Sequence, residues 1–282
     1  MKETDLREGE VEQLATGFGF VEGPVWHQDG YWLFSDIPSN RIHKITPEGE
    51  VGIYREPSGN SNGLTLNWAG RLLACEHGNR RVSIADIGGV EETFADTYEG
   101  KKLNSPNDVV VHSSGAVYFT DPPYGIKPEQ MEQPCAGVYR VDPDGAMRCV
   151  IEDFEKPNGL AFSPDESVLY IDDSHYQHIR AFDVAADGSL NNSRMFADMS
   201  HDGDGVPDGM KVDQEGNLYA TNALGIWVYN PAGDFLGLIS VPEVPANCAW
   251  GEDGRTLFMT ARTSVYRVRM CIAGMAVRTP DL

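Results

Sequence analysis

A pattern that recurs along the chain is the feature that most constrains how this sequence can fold. Each copy has a polar residue, a small or tight residue, a strand, a turn and a second strand, as at 22–36 and 158–173. The copies begin at Glu22, Asn62, Asn107, Asn158, Asp208 and Asn247. Their starts lie roughly 40 to 50 residues apart, which is the period of propeller blades built from about four strands. The chain is therefore expected to form a ring of similar units.

Strand and turn signals within the copies favour an all-β architecture. Turn pairs such as Asp144-Gly145 and Asp253-Gly254 separate the apolar runs, and no segment keeps a helical period. The last copy contains three strands, so residues 10–15 are predicted to supply its fourth strand and close the ring. The sequence thus predicts a six-bladed β-propeller of four-stranded blades, formed as a single domain over residues 1–282, with residues 1–9 as a loose lead.

The amino-acid composition limits the kinds of partner and the cellular compartment that are expected for this protein. The 282 residues carry a net charge of −21, whereas binding to nucleic acids or anionic membranes needs clustered Lys and Arg, so neither partner is expected. The five cysteines are odd in number and no two have C-x-x-C spacing, which predicts free thiols in a reducing compartment. The first residues lack the apolar stretch of a signal peptide, and no apolar run reaches about 18 residues. A cytoplasmic protein is expected, and its oligomeric state stays open.

The first residues of the six copies all have side chains with oxygen atoms that can bind a cation. The innermost strand of a four-stranded blade lines the central channel, so these residues are expected to meet around one mouth of the channel. One Glu, one Asp and four Asn would bring together carboxylate and amide oxygens, which are the ligands that calcium prefers. No His or Cys begins a copy, which disfavours zinc. The alternative is that these side chains only form turn hydrogen bonds ahead of each strand.

Several segments resemble one known family. They are Glu22-Gly23-Pro24, Ser105-Pro106-Asn107-Asp108, Tyr118-Phe119-Thr120-Asp121-Pro122-Pro123-Tyr124-Gly125, Pro157-Asn158-Gly159-Leu160-Ala161-Phe162-Ser163 and Pro207-Asp208-Gly209-Met210. Together they resemble the gluconolactonase/regucalcin (senescence marker protein) family over nearly the whole chain, and its bacterial gluconolactonase branch most of all. The resemblance implies a six-bladed propeller that holds calcium or a similar divalent ion in its channel and acts on lactones.

The resemblance also implies roles for particular residues. Glu22, Asn158 and Asp208 correspond to the family's metal ligands, and Asp208 also corresponds to its proposed general base. Asn107 corresponds to a position that binds metal in some relatives and substrate in others. The regucalcin branch has a substrate-holding Arg where this chain has Ser105. Either another group holds the substrate here, or the substrate is held differently.

The positions of the loops suggest which residues hold the substrate in place of that Arg. The loops before each first strand and between each second and third strand are expected to share the face on which the six polar residues lie. Residues predicted to bind substrate on that face are His77, Asn104, Asn107, Asp121, Tyr124 and His175. Most of these side chains are also suited to ordinary loop hydrogen bonds, which is the alternative for each.

The sequence as a whole predicts a metal-dependent lactonase. The favoured reaction is hydrolysis of D-glucono-1,5-lactone to gluconate, with calcium as the ion and zinc, magnesium or manganese as substitutes. The cation would polarise the lactone carbonyl, and Asp208 would activate water as a general base. One alternative keeps the site but changes the substrate to other lactones, aryl esters or organophosphates. A second alternative is a non-enzymatic binding platform, which would leave the convergence of Glu22 and Asp208 unexplained.

Overall fold

The computed structural model describes residues 2–275. Over that range the long elements are all β-strands, and the helical content is a 3₁₀ turn at Pro128–Gln130. The described part of the chain holds no helix with the length and apolar character needed to cross a membrane. The strands form six four-stranded antiparallel sheets, which confirms the predicted six-bladed propeller.

The first strand, β1 (Glu12–Thr16), belongs to the last blade. Blade 1 consists of β2 (Val21–His27), β3 (Tyr31–Asp36), β4 (Arg41–Ile45) and β5 (Val51–Arg55). Blade 2 consists of β6 (Ser61–Leu66), β7 (Leu72–Glu76), β8 (Arg81–Ala85) and β9 (Glu92–Ala95). A hairpin of β10 (Thr97–Tyr98) and β11 (Lys101–Lys102) follows. Blade 3 consists of β12 (Val109–Val111), β13 (Val117–Asp121), β14 (Ala136–Val141) and β15 (Met147–Phe154).

The remaining blades repeat this order outward from the channel. Blade 4 consists of β16 (Pro157–Phe162), β17 (Val168–Asp173), β18 (His178–Val184) and β19 (Leu190–Asp198). Blade 5 consists of β20 (Met210–Val212), β21 (Leu218–Asn222), β22 (Gly225–Tyr229) and β23 (Phe235–Ser240). Blade 6 consists of β24 (Pro245–Gly251), β25 (Thr256–Ala261) and β26 (Ser264–Arg269), completed by β1.

The ring closes through the N-terminal part of the chain. β1 pairs antiparallel with β26, with Glu12 opposite Arg267. The predicted closing strand at 10–15 is therefore confirmed, one to two residues further along. Residues 3–8 were expected to be loose, but the structure corrects this. Thr4 N donates to Leu238 O and Glu8 N donates to Arg269 O, both at 2.8 Å, because the edges of blades 5 and 6 offer free main-chain groups.

Apolar side chains fill the space between neighbouring blades, with one cluster at each junction. At the junction of blades 1 and 6, Trp32 and Phe258 are fully buried and stack with ring centroids 4.6 Å apart. Each sheet packs on a neighbour through both faces, so strands such as β7 and β21 are buried along their whole length. The blades thus form a rigid ring around the channel.

The polar residue that begins a copy lies beside a break in strand pairing. Blade 4 shifts register between Pro157 and Leu160, and such a bulge turns Asn158 away from the regular alternation. The carbonyl of Asn158 accepts a hydrogen bond from the Thr120 hydroxyl of blade 3 at 2.8 Å. The small residue that follows, Gly159, allows close approach, because a Cβ there would lie 2.1 Å from the main-chain oxygen of Asp208.

Candidate active site

Three asparagines from blades 2, 3 and 4 form a hydrogen-bonded arc at the channel mouth. Asn62 Nδ2 donates to Asn107 Oδ1, and Asn107 Nδ2 donates to Asn158 Oδ1 at 2.6 Å. Asn158 Nδ2 donates to Ser174 Oγ at 3.0 Å, and that hydroxyl donates to Pro207 O at 2.7 Å. The arc therefore leads from blade 2 to the residue that precedes Asp208.

Two carboxyl groups complete the mouth. The carboxyl groups of Glu22 and Asp208 interact directly, although Glu22 lies on β2 of blade 1 and Asp208 on the segment that leads into blade 5. Burial, reinforced by the charge of Asp108, raises the pKa of Glu22 to about 7, against the opposing effect of the Gly23 N–H at 2.5 Å. Burial and the adjacent Glu22 raise the pKa of Asp208 well above its ordinary value. Two acids this close hold either a proton or a cation between them.

Three further charged residues near the mouth were missed by the sequence analysis. Burial raises the pKa of Asp108, and the charge of Lys211 opposes that rise. Asp172 is fully buried, and its carboxyl makes no hydrogen bond of normal geometry within residues 2–275. Burial and the charge of Asp108 raise the pKa of Asp172 well above its ordinary value. The sequence could have indicated these residues, because each is a charged residue within or directly before an otherwise apolar inner or middle strand.

His77 and Tyr124 reach the arc from loops on the same face. His77 Nε2 lies 3.3 Å from Asn62 Nδ2, and burial lowers the pKa of His77 to about 4, so its ring is neutral. The Tyr124 hydroxyl lies next to Ser174 and Asn158. Tyr124 also keeps 41% of its surface exposed. The structure therefore brings these two predicted substrate-binding residues to the polar ring with surface left for a ligand.

Asn104 and Asp121 lie near the same face but support the loops. The two carboxylate oxygens of Asp121 accept hydrogen bonds from Asn104 N and Ser105 N, each at 2.7 Å. Asn104 Nδ2 donates to the main-chain oxygen of Asp121 at 3.0 Å. Asp173 repeats this arrangement in blade 4, where it accepts from Glu155 N at 2.8 Å. The Asp121 carboxylate and the Asn104 amide nitrogen are thus committed to main-chain contacts.

His175 lies on the exposed surface, with its ring centroid 4.8 Å from that of Tyr176. Ser105 Oγ accepts a hydrogen bond from Gly125 N at 3.0 Å, which ties down the loop that carries Tyr124. The predicted site residues that the structure brings together are Glu22, His77, Asn107, Tyr124, Asn158 and Asp208. Those that it places outside the arc are Asn104, Asp121 and His175.

The donor atoms at the mouth suit a hard divalent cation. Glu22 and Asp208 offer carboxylates, and Asn107 and Asn158 offer amide oxygens, which is a calcium-like donor set. Among residues 2–275, no three His, Cys, Asp or Glu side chains converge closely enough to hold a metal by themselves, so the amide oxygens are needed. A cation between Glu22 and Asp208 would take the place of the proton that the two carboxyls otherwise share.

The fold and the mouth together define a class, namely a six-bladed propeller whose channel opens on buried acids and amides. The family model described as SMP-30/Gluconolactonase/LRE-like region matches residues 20–263. The chain belongs to this family. The resemblance inferred from the sequence motifs is thereby confirmed.

Named relatives of this chain are lactonases. The chain is 38% identical to a gluconolactonase from Zymomonas mobilis, with 92% of this chain and 81% of the relative covered. It is 30% identical to a pentonolactonase from Haloferax volcanii, with 85% and 80% covered. A gluconolactonase structure from Xanthomonas campestris superposes with a TM-score of 0.86 at 34% identity, covering 92% of this chain and 89% of that chain. A calcium-binding regucalcin from Agrobacterium tumefaciens shares the fold, with a TM-score of 0.79, 19% identity and 98% of each chain covered.

Proposed function

We propose that this chain hydrolyses a sugar lactone, with D-glucono-1,5-lactone as the first candidate and gluconate as its product. The observation that carries the proposal is a pair of acids, the buried Glu22 and the half-buried Asp208, beside an arc of asparagine amides at the channel mouth. The amides are suited to the hydroxyl groups of a sugar, and the acids are suited to the reacting carbonyl. The gluconolactonase and pentonolactonase relatives support this substrate class.

Calcium is the cation that we assign to the mouth, with Glu22, Asn107, Asn158 and Asp208 as the residues that would hold it. The all-oxygen donor set supports calcium, with magnesium or manganese as substitutes and zinc as a poorer fit. When bound, such a cation supplies Lewis-acid polarisation of the lactone carbonyl and charge to balance the developing oxyanion.

Asp208 carries the proton transfers in this proposal. Its carboxylate takes a proton from water as the water oxygen adds to the lactone carbonyl carbon. The ring C–O bond then breaks, and Asp208 returns the proton to the ring oxygen, which becomes a hydroxyl of the aldonic acid. Burial beside Glu22 raises the pKa of Asp208 and so strengthens it as a base. Coordination to a cation weakens this base, but a lactone is a reactive ester for which a weak base suffices.

His77 and Tyr124 orient the sugar in this scheme. The neutral His77 ring can both donate and accept a hydrogen bond. The Tyr124 hydroxyl lies next to Ser174 and Asn158 at the edge of the mouth. Both groups match sugar hydroxyls, which also donate and accept.

The test compares wild type, Asp208→Asn and Asp234→Asn on glucono-1,5-lactone, each stripped of metal and then given calcium, zinc or a chelator. Asp234 is a matched control because it is exposed in the turn between β22 and β23, where it accepts a hydrogen bond from Asn230. After subtraction of spontaneous hydrolysis, Asp208→Asn should lose about 10²- to 10⁴-fold in kcat/KM. The control should stay within about twofold of wild type.

Two results would contradict the proposal. The first is an equal rate in Asp208→Asn and wild type, and the second is an undiminished rate in the chelated wild type. Phenyl acetate and a phosphotriester in the same assay test the alternative substrates. A higher kcat/KM for either of them than for the lactone would replace the sugar with an aryl ester or an organophosphate.

A further inference from the structure

A cavity of about 430 Å³ opens beside Asp208, on the side of the mouth away from the asparagine arc. Its wall comes from the segments that lead into blades 5, 6 and 1 and from the turn between β25 and β26. The side chains that define it are Phe20, Val206, Asp208, Val244, Pro245 and Arg262. Phe20 and Val206 are each 38% exposed, so apolar surface faces the opening. The mouth therefore has a polar half of amides and a second half that is largely apolar.

Arg262 has no carboxylate partner, which sets it apart from most arginines of the described chain. Within residues 2–275, all arginines except Arg55 and Arg262 form an ion pair with a carboxylate. The Arg262 side chain also makes no hydrogen bond to another residue of that range, and Arg262 is exposed. In a chain with 43 acidic and 22 basic residues, partners are abundant. An unpaired guanidinium at a cavity beside the reacting acid is thus available to a ligand.

The turn that carries Arg262 is firmly held. Arg262 has a φ of +43°, a conformation that is uncommon for residues other than glycine. Its carbonyl accepts a hydrogen bond from Val21 N at 2.8 Å, directly before Glu22 in the chain. The Glu243 carboxylate accepts hydrogen bonds from Thr263 N at 2.8 Å and Thr263 Oγ1 at 3.0 Å. The backbone of Arg262 is therefore anchored both to blade 1, beside the acid pair, and to Glu243.

We propose that this cavity is a subsite for the exocyclic substituent of the lactone, and that Arg262 makes it selective for a substituent that carries an anionic group. This inference rests on the lactonase function proposed above. Asp208 and Arg262 are the charged residues of the cavity wall, and Asp208 is the residue that activates water in the proposed reaction. A guanidinium binds a carboxylate or a phosphate through two parallel hydrogen bonds.

The negative charge of the whole chain gives a local cation such as Arg262 a role in binding an anionic substrate. A net charge of −21 repels anionic substrates from the surface in general. A single unpaired cation beside the reacting centre compensates locally for that repulsion. The apolar wall of Phe20 and Val206 packs against the exocyclic carbon of the substituent. The subsite thus recognises the charge of the substituent.

The experiment uses three lactones that differ only at C6, namely glucono-1,5-lactone and its counterparts with a phosphate or a carboxylate at that carbon. Wild type, Arg262→Met, Arg262→Lys and the control Arg255→Met are compared by kcat/KM. Arg255 is a suitable control because it lies in a turn of blade 6 and pairs with Glu8 at 3.6 Å, with its side chain 45% exposed. Binding of gluconate and 6-phosphogluconate is measured by calorimetry in parallel, so that one readout does not depend on catalysis.

In Arg262→Met, the ratio of kcat/KM for an anionic lactone to that for the neutral lactone should fall about tenfold to a hundredfold. Arg262→Lys should recover part of the loss, and added salt should shrink the wild-type preference. The larger Arg262-dependent ratio, for phosphate or for carboxylate, identifies the group that is bound. An unchanged ratio in Arg262→Met, with the neutral lactone still hydrolysed, overturns this inference alone. Hydrolysis of none of the three lactones overturns the proposed function, while an Arg262-dependent preference for 6-phosphogluconate would still support the subsite.

Discussion

A single methyl group at Gly159 is predicted to disrupt the channel mouth. The Cβ of an alanine there would lie 2.1 Å from the main-chain oxygen of Asp208 and 2.9 Å from Asp172 Oδ2. Unstrained contacts between such atoms are about 3.5 Å long. The Asp208 oxygen belongs to the main chain and cannot rotate away, so blades 4 and 5 must separate locally. Gly159 is not among the positive-φ glycines, and the change therefore tests this contact without added backbone strain.

The expected magnitude follows from that overlap. Overpacking in a closely packed region costs about 1–3 kcal/mol of unfolding free energy, and a clash with main chain places Gly159→Ala in the upper part of this range. The same movement displaces Asp208, and a misplacement of about 1 Å in a reacting group can cost a hundredfold in rate. We therefore expect kcat/KM for the lactone to fall about tenfold to a hundredfold.

Urea unfolding followed by tryptophan fluorescence measures the first effect, and lactone hydrolysis measures the second. Gly52→Ala is the matched control, because Gly52 lies on the outer strand β5 and a Cβ there meets nothing within 4 Å. It should be neutral or up to about 1 kcal/mol stabilising. If Gly159→Ala unfolds at the same urea concentration as Gly52→Ala and keeps the wild-type kcat/KM, close packing of the innermost strands does not position Asp208.

Three further predictions concern a loop, a histidine and a blade junction. Asp121→Ala leaves two buried main-chain N–H groups without acceptors and should lower the unfolding free energy by about 1–3 kcal/mol in urea, with a smaller loss in Asp121→Asn. His77→Gln should keep the shape of the pH profile of kcat/KM between about pH 5.5 and 8, because a pKa of about 4 leaves the ring neutral there. A wild-type inflection that disappears in the variant would contradict this. Phe258→Ala removes the ring stacked on Trp32 and should cost about 3–5 kcal/mol, and an unchanged melting temperature would refute the packing argument.

Most of the fold could be predicted from the repeat, because blades 1 to 5 are each built from one continuous stretch of sequence. Spacing, turn residues and strand alternation recur in every copy, and counting strands in the last copy was enough to predict the closing strand. The lead at residues 3–8 was harder to predict, because its pairing partners, such as Leu238 and Arg269, lie far along the chain. Nothing within a polar N-terminal segment indicates which sheet edges are left free.

Asp121 shows how the repeat can also correct a functional interpretation. The same place at the end of a second strand holds Asp36 in blade 1 and Asp173 in blade 4, and each accepts main-chain hydrogen bonds from the preceding loop. A position that recurs with the same chemistry in several blades is performing a structural task common to those blades. The positions that we propose as functional, Glu22 and Asp208, are those at which one copy departs from the others.

The sequence by itself predicted the six-bladed propeller, which the structure confirms, and predicted that six polar residues, two of them acids, meet at one mouth. These properties depend on the spacing of the copies, the alternation of apolar and polar residues and the number of strands in each copy, which can all be read from short stretches of sequence. The tertiary structure decided that the carboxyl groups of Glu22 and Asp208 meet, and that Arg262 lines a cavity beside Asp208. Those groups are far apart in the chain and become neighbours only when β1 closes the ring on β26. Burial within that closed ring then sets the pKa values, because desolvation depends on everything that surrounds a group.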